Sequence, residues 1–249
     1  MDKAQELKMQ LLKEFGIIDE KKSVDFCREA YKFLTEGEQN DTPSAAPAVS
    51  SEEAIAVDMG LPSGTLWCDR NVGAKSPEDY GAFFSWGNTD PHYPNRGNMD
   101  WGDDDDGFDY SFDSDTYEKT AGYKLEGNID MAHDAARANM GEPWQMPTEE
   151  QIKELFDNCD WVRKTINGIN GYLVTSKING NVVFFPASGF GGGTSWYNRG
   201  SYGCYWSSSW NSSRNARYLS FCSGGVLPQY TDRRYNGFAV RPVQLSHQK

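Results

Sequence analysis

The chain of 249 residues carries 24 basic and 36 acidic side chains, which gives a formal net charge of −12, and 38% of its residues are apolar. This length accommodates one core domain and a small accessory element. The acidic balance argues against a nucleic-acid partner, and no apolar run is long enough to predict membrane insertion.

An N-terminal helical hairpin is predicted over residues 1–37, with helices at 4–15 and 23–35. So small a unit cannot bury its apolar face, so we expect it to dock on a partner or to self-associate. Charged side chains interrupt the apolar ones, unlike a secretion signal, so we do not expect this segment to direct the chain to the secretion pathway. Residues 38–53, rich in Pro, Ser and Ala, are a predicted linker.

A compact α+β domain is predicted over residues 54–249, because short apolar runs alternate there with Gly, Pro, Asn and Asp. Thr148 is the expected N-cap of a helix that buries Ile152 and Leu155, and a second helix is predicted over 129–140. Asn179-Gly180 predicts a hairpin turn. Strands are predicted at 55–61, 64–67, 81–86, 171–176, 181–187, 218–221 and 237–243.

No metal site, disulfide framework or cofactor is predicted. The five cysteines, which include Cys204 and Cys222, are scattered and form no Cys-x-x-Cys pair. Residues 103–109, with Asp113 and Asp115 beyond them, are acidic enough to suggest calcium. An EF-hand register ending at Gly107 would place Gly102 at the first ligand position, so the ligand set is incomplete.

Residues 190–241, the C-terminal segment, have the composition of a binding surface. They contain three Trp, six Tyr, nine Ser and six Arg, but no Lys and no Glu. Aromatic side chains and Arg supply contact area and forked donors, and Ser supplies adaptable hydrogen bonds. With one Asp the segment is +5 and the rest of the chain −17, which favours an anionic partner. The alternative is an aromatic-rich sheet edge with solvated loops.

Eight motifs in fixed order carry a family resemblance: DMGLPSGTLW at 58–67, NVGA at 71–74, YGAFFSWG at 80–87, WQMPT at 144–148, GYLVTSK at 171–177, FFPASGF at 184–190, YWSSS at 205–209 and NGFAVRPV at 236–243. Through them the chain resembles the major paralogous domain of Fibrobacter, Bacteroidetes and their phages. Together with the lack of a predicted secretion signal, this resemblance favours a cytoplasmic or phage-particle location. The resemblance implies a C-type lectin-like fold of the formylglycine-generating-enzyme type.

A subset of that family resembles the variable proteins of diversity-generating retroelements, whose C-terminal codons are rewritten at adenines. An Asn codon randomised in this way never gives Lys, Glu, Gln, Met or Trp. Trp206 and Gln229 therefore belong to the scaffold, and Trp196 and Trp210 require a different template codon. The predicted ligand-binding residues are Trp196, Tyr197, Arg199, Tyr202, Cys204, Trp210, Asn211, Arg214, Asn215, Arg217, Tyr218, Cys222, Tyr230, Thr231, Asp232, Arg233 and Tyr235.

The predicted function is non-enzymatic binding of a protein or other macromolecular surface by the hypervariable C-terminal segment. Two alternatives stay open: a cell-surface or structural paralogous domain without programmed variation, and an enzyme of the formylglycine-generating type. That enzyme type uses a cysteine pair for oxidation, and neither Cys204 nor Cys222 can be matched to it. No catalytic residue is therefore predicted.

Overall fold

A computed structural model describes residues 53–94, 107–120 and 122–245. The predicted N-terminal hairpin, nearly all of the predicted linker and Asp103 to Asp106 lie outside the described residues. Residues Ser51–Lys249 form one compact unit. Within the described part of this unit, strands predominate and helices are few and short, so the fold is α+β with open sheets.

The described residues form three α-helices and eleven strands. The helices are α1 (Ser114–Lys119), α2 (Ala135–Met140) and α3 (Glu149–Asn158). The strands are β1 (Ala56–Asp58), β2 (Thr65–Cys68), β3 (Cys159–Ile166), β4 (Ile169–Ser176), β5 (Val182–Pro186), β6 (Phe190–Gly192), β7 (Ser195–Tyr197), β8 (Gly203–Trp210), β9 (Asn215–Cys222), β10 (Gly225–Arg233) and β11 (Val243–Leu245).

Four antiparallel sheets are built from these strands, in the orders β1-β2-β11, β3-β4-β5, β6-β7 and β8-β9-β10. Strand β11 pairs with β2, which joins the two ends of the described chain in one sheet. A parallel bridge between Tyr205 and Ala239 connects β8 to the segment that leads into β11. This bridge joins two stretches of the C-terminal segment to each other.

Two Asn-Gly pairs form tight turns, of which one was predicted. Gly180 has a φ of 77° in the turn between β4 and β5, as expected from the Asn179-Gly180 pair. Asn167 and Gly168 have φ values of 50° and 82° in the turn between β3 and β4. Positive φ at both central residues is the geometry of a type I′ hairpin turn, which Asn-Gly adopts readily.

Helix α3 begins as predicted. The Thr148 hydroxyl accepts a hydrogen bond from the Gln151 backbone N–H at 3.2 Å, and the Gln151 side chain accepts one from the Thr148 N–H at 2.9 Å. This capping box satisfies two donors that a helix end would otherwise leave unpaired. Ile152 and Leu155 are buried in the core, which confirms the apolar face.

The predicted helix over 129–140 is shorter than expected, since only Ala135–Met140 is helical. The Ile129 backbone N–H is bonded to the Ser208 carbonyl at 2.9 Å, which holds the start of this stretch against β8. The Asp134 carboxylate then caps α2 by accepting from the Arg137 N–H at 3.0 Å. Tertiary pairing thus outcompetes helix formation over the first turn and a half.

The predicted strand at 81–86 is replaced by two isolated bridges, Phe83 to His92 and Phe84 to Phe238. The Trp86 N–H is bonded to the Arg234 carbonyl at 2.8 Å, and its indole N–H to the Ser207 carbonyl at 2.8 Å. The stretch is therefore wholly buried but pairs with separate loops instead of one strand. It attaches the N-terminal half of the domain to β8 and to the loop after β10.

Strand β10 is an edge strand with an interruption. Its pairing with β9 shifts register between Leu227 and Tyr230, where a bulge contains Pro228. Proline has no backbone N–H to donate, so it is tolerated at sheet edges and bulges. Among the described residues, β9 is the strand that pairs with β10.

Candidate functional site

The candidate site is the β8-β9-β10 sheet with its flanking turns, since these elements carry most of the predicted ligand-binding residues. Trp206, Tyr218 and Tyr230 lie side by side on β8, β9 and β10. Cross-strand partners share a face, and we call this one the tyrosine face. The opposite face presents Tyr205, Leu219 and Phe221 to the core that contains Ile152 and Leu155 of α3.

The YWSSS motif fixes β8 in the interior, as the sequence predicted for Trp206. That indole is fully buried, donates to the Phe84 carbonyl at 2.8 Å and stacks on Phe238 at 4.2 Å between ring centroids. The Tyr205 hydroxyl donates to the Pro186 carbonyl at 2.5 Å. The Ser207 hydroxyl donates to the Arg217 carbonyl at 2.9 Å, so these serines satisfy backbone groups.

The prediction that Tyr218 and Cys204 are displayed is wrong. Tyr218 is 5% exposed and Cys204 4% exposed, and both belong to the cluster that contains Trp206 and Phe238. They lie on the tyrosine face where β8 and β9 are covered by Phe238 and Phe190. Burial raises the pKa of the Cys204 thiol to about 12. Both side chains are part of the core.

A row of aromatic rings links the buried tyrosine to two exposed ones. Tyr230 meets Tyr218 at 5.7 Å, Tyr218 meets Phe238 at 4.7 Å, Phe238 meets Phe190 at 6.3 Å and Phe190 stacks on Tyr197 at 5.4 Å. These centroid separations fall in the range of favourable aromatic pairs. Tyr230 and Tyr197 are therefore held at the surface by rigid neighbours beneath them.

The exposed large aromatic side chains of the described residues all lie in the C-terminal segment. They are Tyr230 at 52% exposure, Tyr197 at 47%, Tyr202 at 41% and Trp210 at 39%. Elsewhere in the described chain, aromatic side chains are buried or half-buried. Tyr and Trp side chains are enriched at recognition surfaces, so their confinement to one segment suits a binding role.

The structure divides the remaining predicted residues between the two ends of the sheet. Trp210 and Tyr202 are separated by the length of β8, which is about 25 Å for a strand of this size. The group near Trp210 comprises Asn211, Arg214, Asn215, Arg217, Thr231, Asp232, Arg233 and Tyr235, and the group near Tyr202 comprises Trp196, Arg199 and Cys222. Arg214 and Arg233 are exposed and the rest are half-buried.

Two of the six arginines in the C-terminal segment are buried. The charge of +5 predicted for this segment therefore overstates the positive charge on its surface. The Arg241 guanidinium is buried over the Phe185 ring and donates to the Cys68 and Phe184 carbonyls at 3.1 and 2.7 Å. Arg234 is fully buried over the Trp86 ring at 4.6 Å. Burial lowers the pKa of both side chains. Their charges stabilise the scaffold.

Two further arginines are held against neighbouring side chains. Arg217 pairs with Glu149, the first residue of α3, at 2.9 Å, and Gln229 donates to the same carboxylate at 3.0 Å. Arg199 lies over the Trp196 ring at 4.5 Å. The Trp196 indole N–H in turn donates to the Ser188 carbonyl at 2.7 Å, which fixes this half-buried ring.

Asp113, which follows the acidic stretch, has a structural role. The Asp113 carboxylate accepts a hydrogen bond from the Thr116 N–H at 2.8 Å, so it is the N-cap of α1. Asp103 to Asp106 are outside the described residues. Within the part of the chain that is described, no group of three or more His, Cys, Asp or Glu side chains is placed to hold a metal ion.

Comparison with known proteins identifies one family resemblance. Residues 142–243 match the model of a domain of unknown function, DUF8237, which spans α3 and all the strands from β3 to β10. No curated protein and no solved structure matches the chain. None of the described helices is long and apolar enough to cross a membrane.

Proposed function

We propose that the chain is a non-enzymatic ligand-binding protein that displays a diversified surface on a C-type lectin-like scaffold. The observation that carries the proposal is the confinement of the exposed aromatics, Tyr197, Tyr202, Trp210 and Tyr230, to the C-terminal segment. Such rings offer large contact areas at small cost in side-chain entropy. The ligand is a protein or another macromolecular surface.

The alternation of fixed and free positions supports the same proposal. Motif residues Tyr205, Trp206, Phe238 and Arg241 are buried and hydrogen-bonded or stacked, whereas the residues between the motifs are mostly exposed or half-buried. Surface positions on a rigid core tolerate substitution. A scaffold of this kind can accept many sequences at its displayed positions without losing its fold.

The thiols support a non-enzymatic role. Cys204 is buried with a pKa raised to about 12, and Cys222 is half-buried on β9. A reactive cysteine requires an accessible thiolate at neutral pH. Cys204 does not meet that requirement.

The test is made on DNA from independent isolates. We expect a near-identical repeat of the C-terminal coding segment beside a reverse transcriptase gene, with adenines at codons such as those for Tyr197, Tyr202 and Tyr230. The codons for Trp206 and Phe238 should be invariant between isolates. A locus without such a repeat overturns programmed variation and leaves the paralogous-domain alternative.

A further inference from the structure

Two arginines of the C-terminal segment are both exposed and without an ion-pair partner among the described residues. Arg234 and Arg241 are buried, Arg199 lies on Trp196 and Arg217 pairs with Glu149. Arg214 and Arg233 remain, and both side chains are exposed. The single acid of the segment, Asp232, accepts from the Arg233 backbone N–H at 2.7 Å and forms no ion pair with either guanidinium.

The backbone places Arg214 and Arg233 at the same end of the sheet. Arg233 pairs with Asn215, the neighbour of Arg214, and the Arg234 N–H is bonded to the Arg214 carbonyl at 3.1 Å. The Ser212 hydroxyl accepts from the N–H groups of Arg214 and Asn215 at 3.4 and 3.0 Å. The turn that carries Arg214 is therefore fixed before any ligand arrives.

Buried Arg234 binds residues 122–125 to this end of the sheet. Its guanidinium donates to the Gly122 and Leu125 carbonyls at 3.2 and 2.8 Å, and to the Ser212 carbonyl at 2.8 Å. One planar cation thus ties the β8-β9 turn to residues 122–125. Tyr123 lies in this stretch, within a short 3-10 helix, Gly122–Lys124.

Two tyrosines accompany the arginines. Tyr123 packs edge-on against buried Tyr117 at 4.8 Å, and the Ser85 hydroxyl fixes the Tyr235 backbone by donating to its carbonyl at 2.9 Å. The carbonyls of Gly122 and Leu125, on either side of Tyr123, accept from the Arg234 guanidinium, and Arg233 and Tyr235 are the chain neighbours of Arg234. The four residues therefore lie at the same end of the sheet.

We propose that Tyr123, Arg214, Arg233 and Tyr235, here called the turn-end patch, bind the carboxylates of an acidic stretch on a partner protein. The inference rests on the proposed function, because it assigns a ligand chemistry to one end of the same surface. Arg forks bind carboxylates in bidentate fashion, and phenol hydroxyls add directed donors. Tyr123 lies outside the C-terminal segment, so the scaffold contributes to this subsite.

Charge favours a short acidic protein stretch over nucleic acid. The chain carries −12 overall, so a long polyanion that extends beyond the patch meets repulsion from the rest of the surface. A short stretch with a few carboxylates contacts the two arginines without extending over the acidic surface. Planar recognition by arginine also suits carboxylates, because two parallel hydrogen bonds form to each.

The experiment measures binding of a fluorescein-labelled hexaglutamate peptide to the full chain by fluorescence anisotropy. We expect saturable binding that weakens as salt rises, and a loss of about two- to twenty-fold in the double variant Arg214→Ala/Arg233→Ala, because each exposed pair contributes up to about fivefold. The control Arg163→Ala/Lys164→Ala removes the same number of positive charges from exposed positions on β3, outside the C-terminal segment, and should leave the Kd unchanged. Tyr123→Phe removes one hydroxyl and should weaken binding less than the double variant does.

Three results would overturn the proposal: no binding at about 1 mM peptide, equal losses in the β3 control variant and the Arg214→Ala/Arg233→Ala variant, or tighter binding of an oligothymidylate of equal charge. Thermal unfolding of each variant shows whether it is folded. Failure here leaves the proposed function standing if isolates still vary at Tyr197, Tyr202 and Tyr230. If the DNA test finds no repeat but hexaglutamate still binds, the turn-end patch is a binding site on a domain without programmed variation.

Discussion

Arg217 of β9 and Glu149 of α3 form an ion pair at 2.9 Å, which joins a position predicted to vary to the first turn of a helix outside the C-terminal segment. Glu149 also lies where the helix dipole favours negative charge. The pair is partly shielded, with side-chain exposures of 34% and 21%. Arg217 is therefore oriented by the scaffold even though it belongs to the predicted binding set.

A double-mutant cycle with Arg217→Ala and Glu149→Ala should give a coupling free energy of about 0.3 to 1 kcal/mol at low salt. The value should fall at high salt, since the pair is only partly buried. Urea denaturation of the four proteins measures it. The half-exposed Lys153–Asp157 pair on α3 is the control and should couple more weakly. No coupling at low salt would contradict the pairing.

The tyrosines Tyr218 and Tyr230 form a matched pair on adjacent strands. Tyr218→Ala should lower the free energy of unfolding by about 3 to 5 kcal/mol, because it opens a cavity beside Trp206 and Phe238. Tyr230→Ala should cost about 1 kcal/mol or less, because half of that ring is in solvent. Chemical denaturation of both variants decides the matter. Equal losses would show that Tyr230, like Tyr218, belongs to the core.

The neighbours Arg233 and Arg234 should differ as sharply in their effect on stability. Arg234→Met leaves the carbonyls of Gly122, Leu125 and Ser212 without their donor, at a cost of about 3 kcal/mol or more. Arg233→Met changes an exposed side chain and should stay within about 0.5 kcal/mol. Thermal and urea unfolding measure both. A mild Arg234→Met would show that this cation does not hold the 122–125 turn.

Stability should decline in alkali through the Cys204 thiol. Its pKa is raised from 9.0 to about 12 by burial, so the folded chain keeps a proton that the unfolded chain releases. This contribution to the free energy of unfolding is complete below about pH 9 and declines as the pH rises. The loss amounts to about 1 kcal/mol near pH 10. Urea denaturation across this range measures it. Cys204→Ala should show a shallower decline, and an identical slope would contradict the assignment.

Local chemistry made several features predictable from sequence. The Thr148 N-cap and the Gly180 turn depend on residues within four positions of each other, and both predictions are confirmed. Strand β3 was missed because its side chains are mostly exposed and its pattern is polar. The signal for it was the Asn167-Gly168 pair, which has the same turn chemistry as the predicted hairpin.

Burial within β9 could not be predicted from alternation. Leu219, Ser220 and Phe221 are consecutive and all buried, because both faces of the sheet are covered there, so a period of two disappears. Tyr218 lies at the start of this covered stretch. Its environment depends on Phe238, which is distant in sequence. The inward direction of Arg234 next to outward Arg233 likewise depends on tertiary contacts with residues 122–125.

The interruption of β10 bears on the solubility of any sequence that the C-terminal segment adopts. An unpaired strand edge is a template for association with another chain, and proteins commonly guard it with charged side chains. A charged guard at Thr231 or Asp232 would be lost whenever those codons changed. Pro228 lies outside the predicted variable set, and its missing N–H together with the bulge disrupts the edge regardless of its neighbours. If the segment is diversified as proposed, every variant would keep this protection against edge-to-edge aggregation.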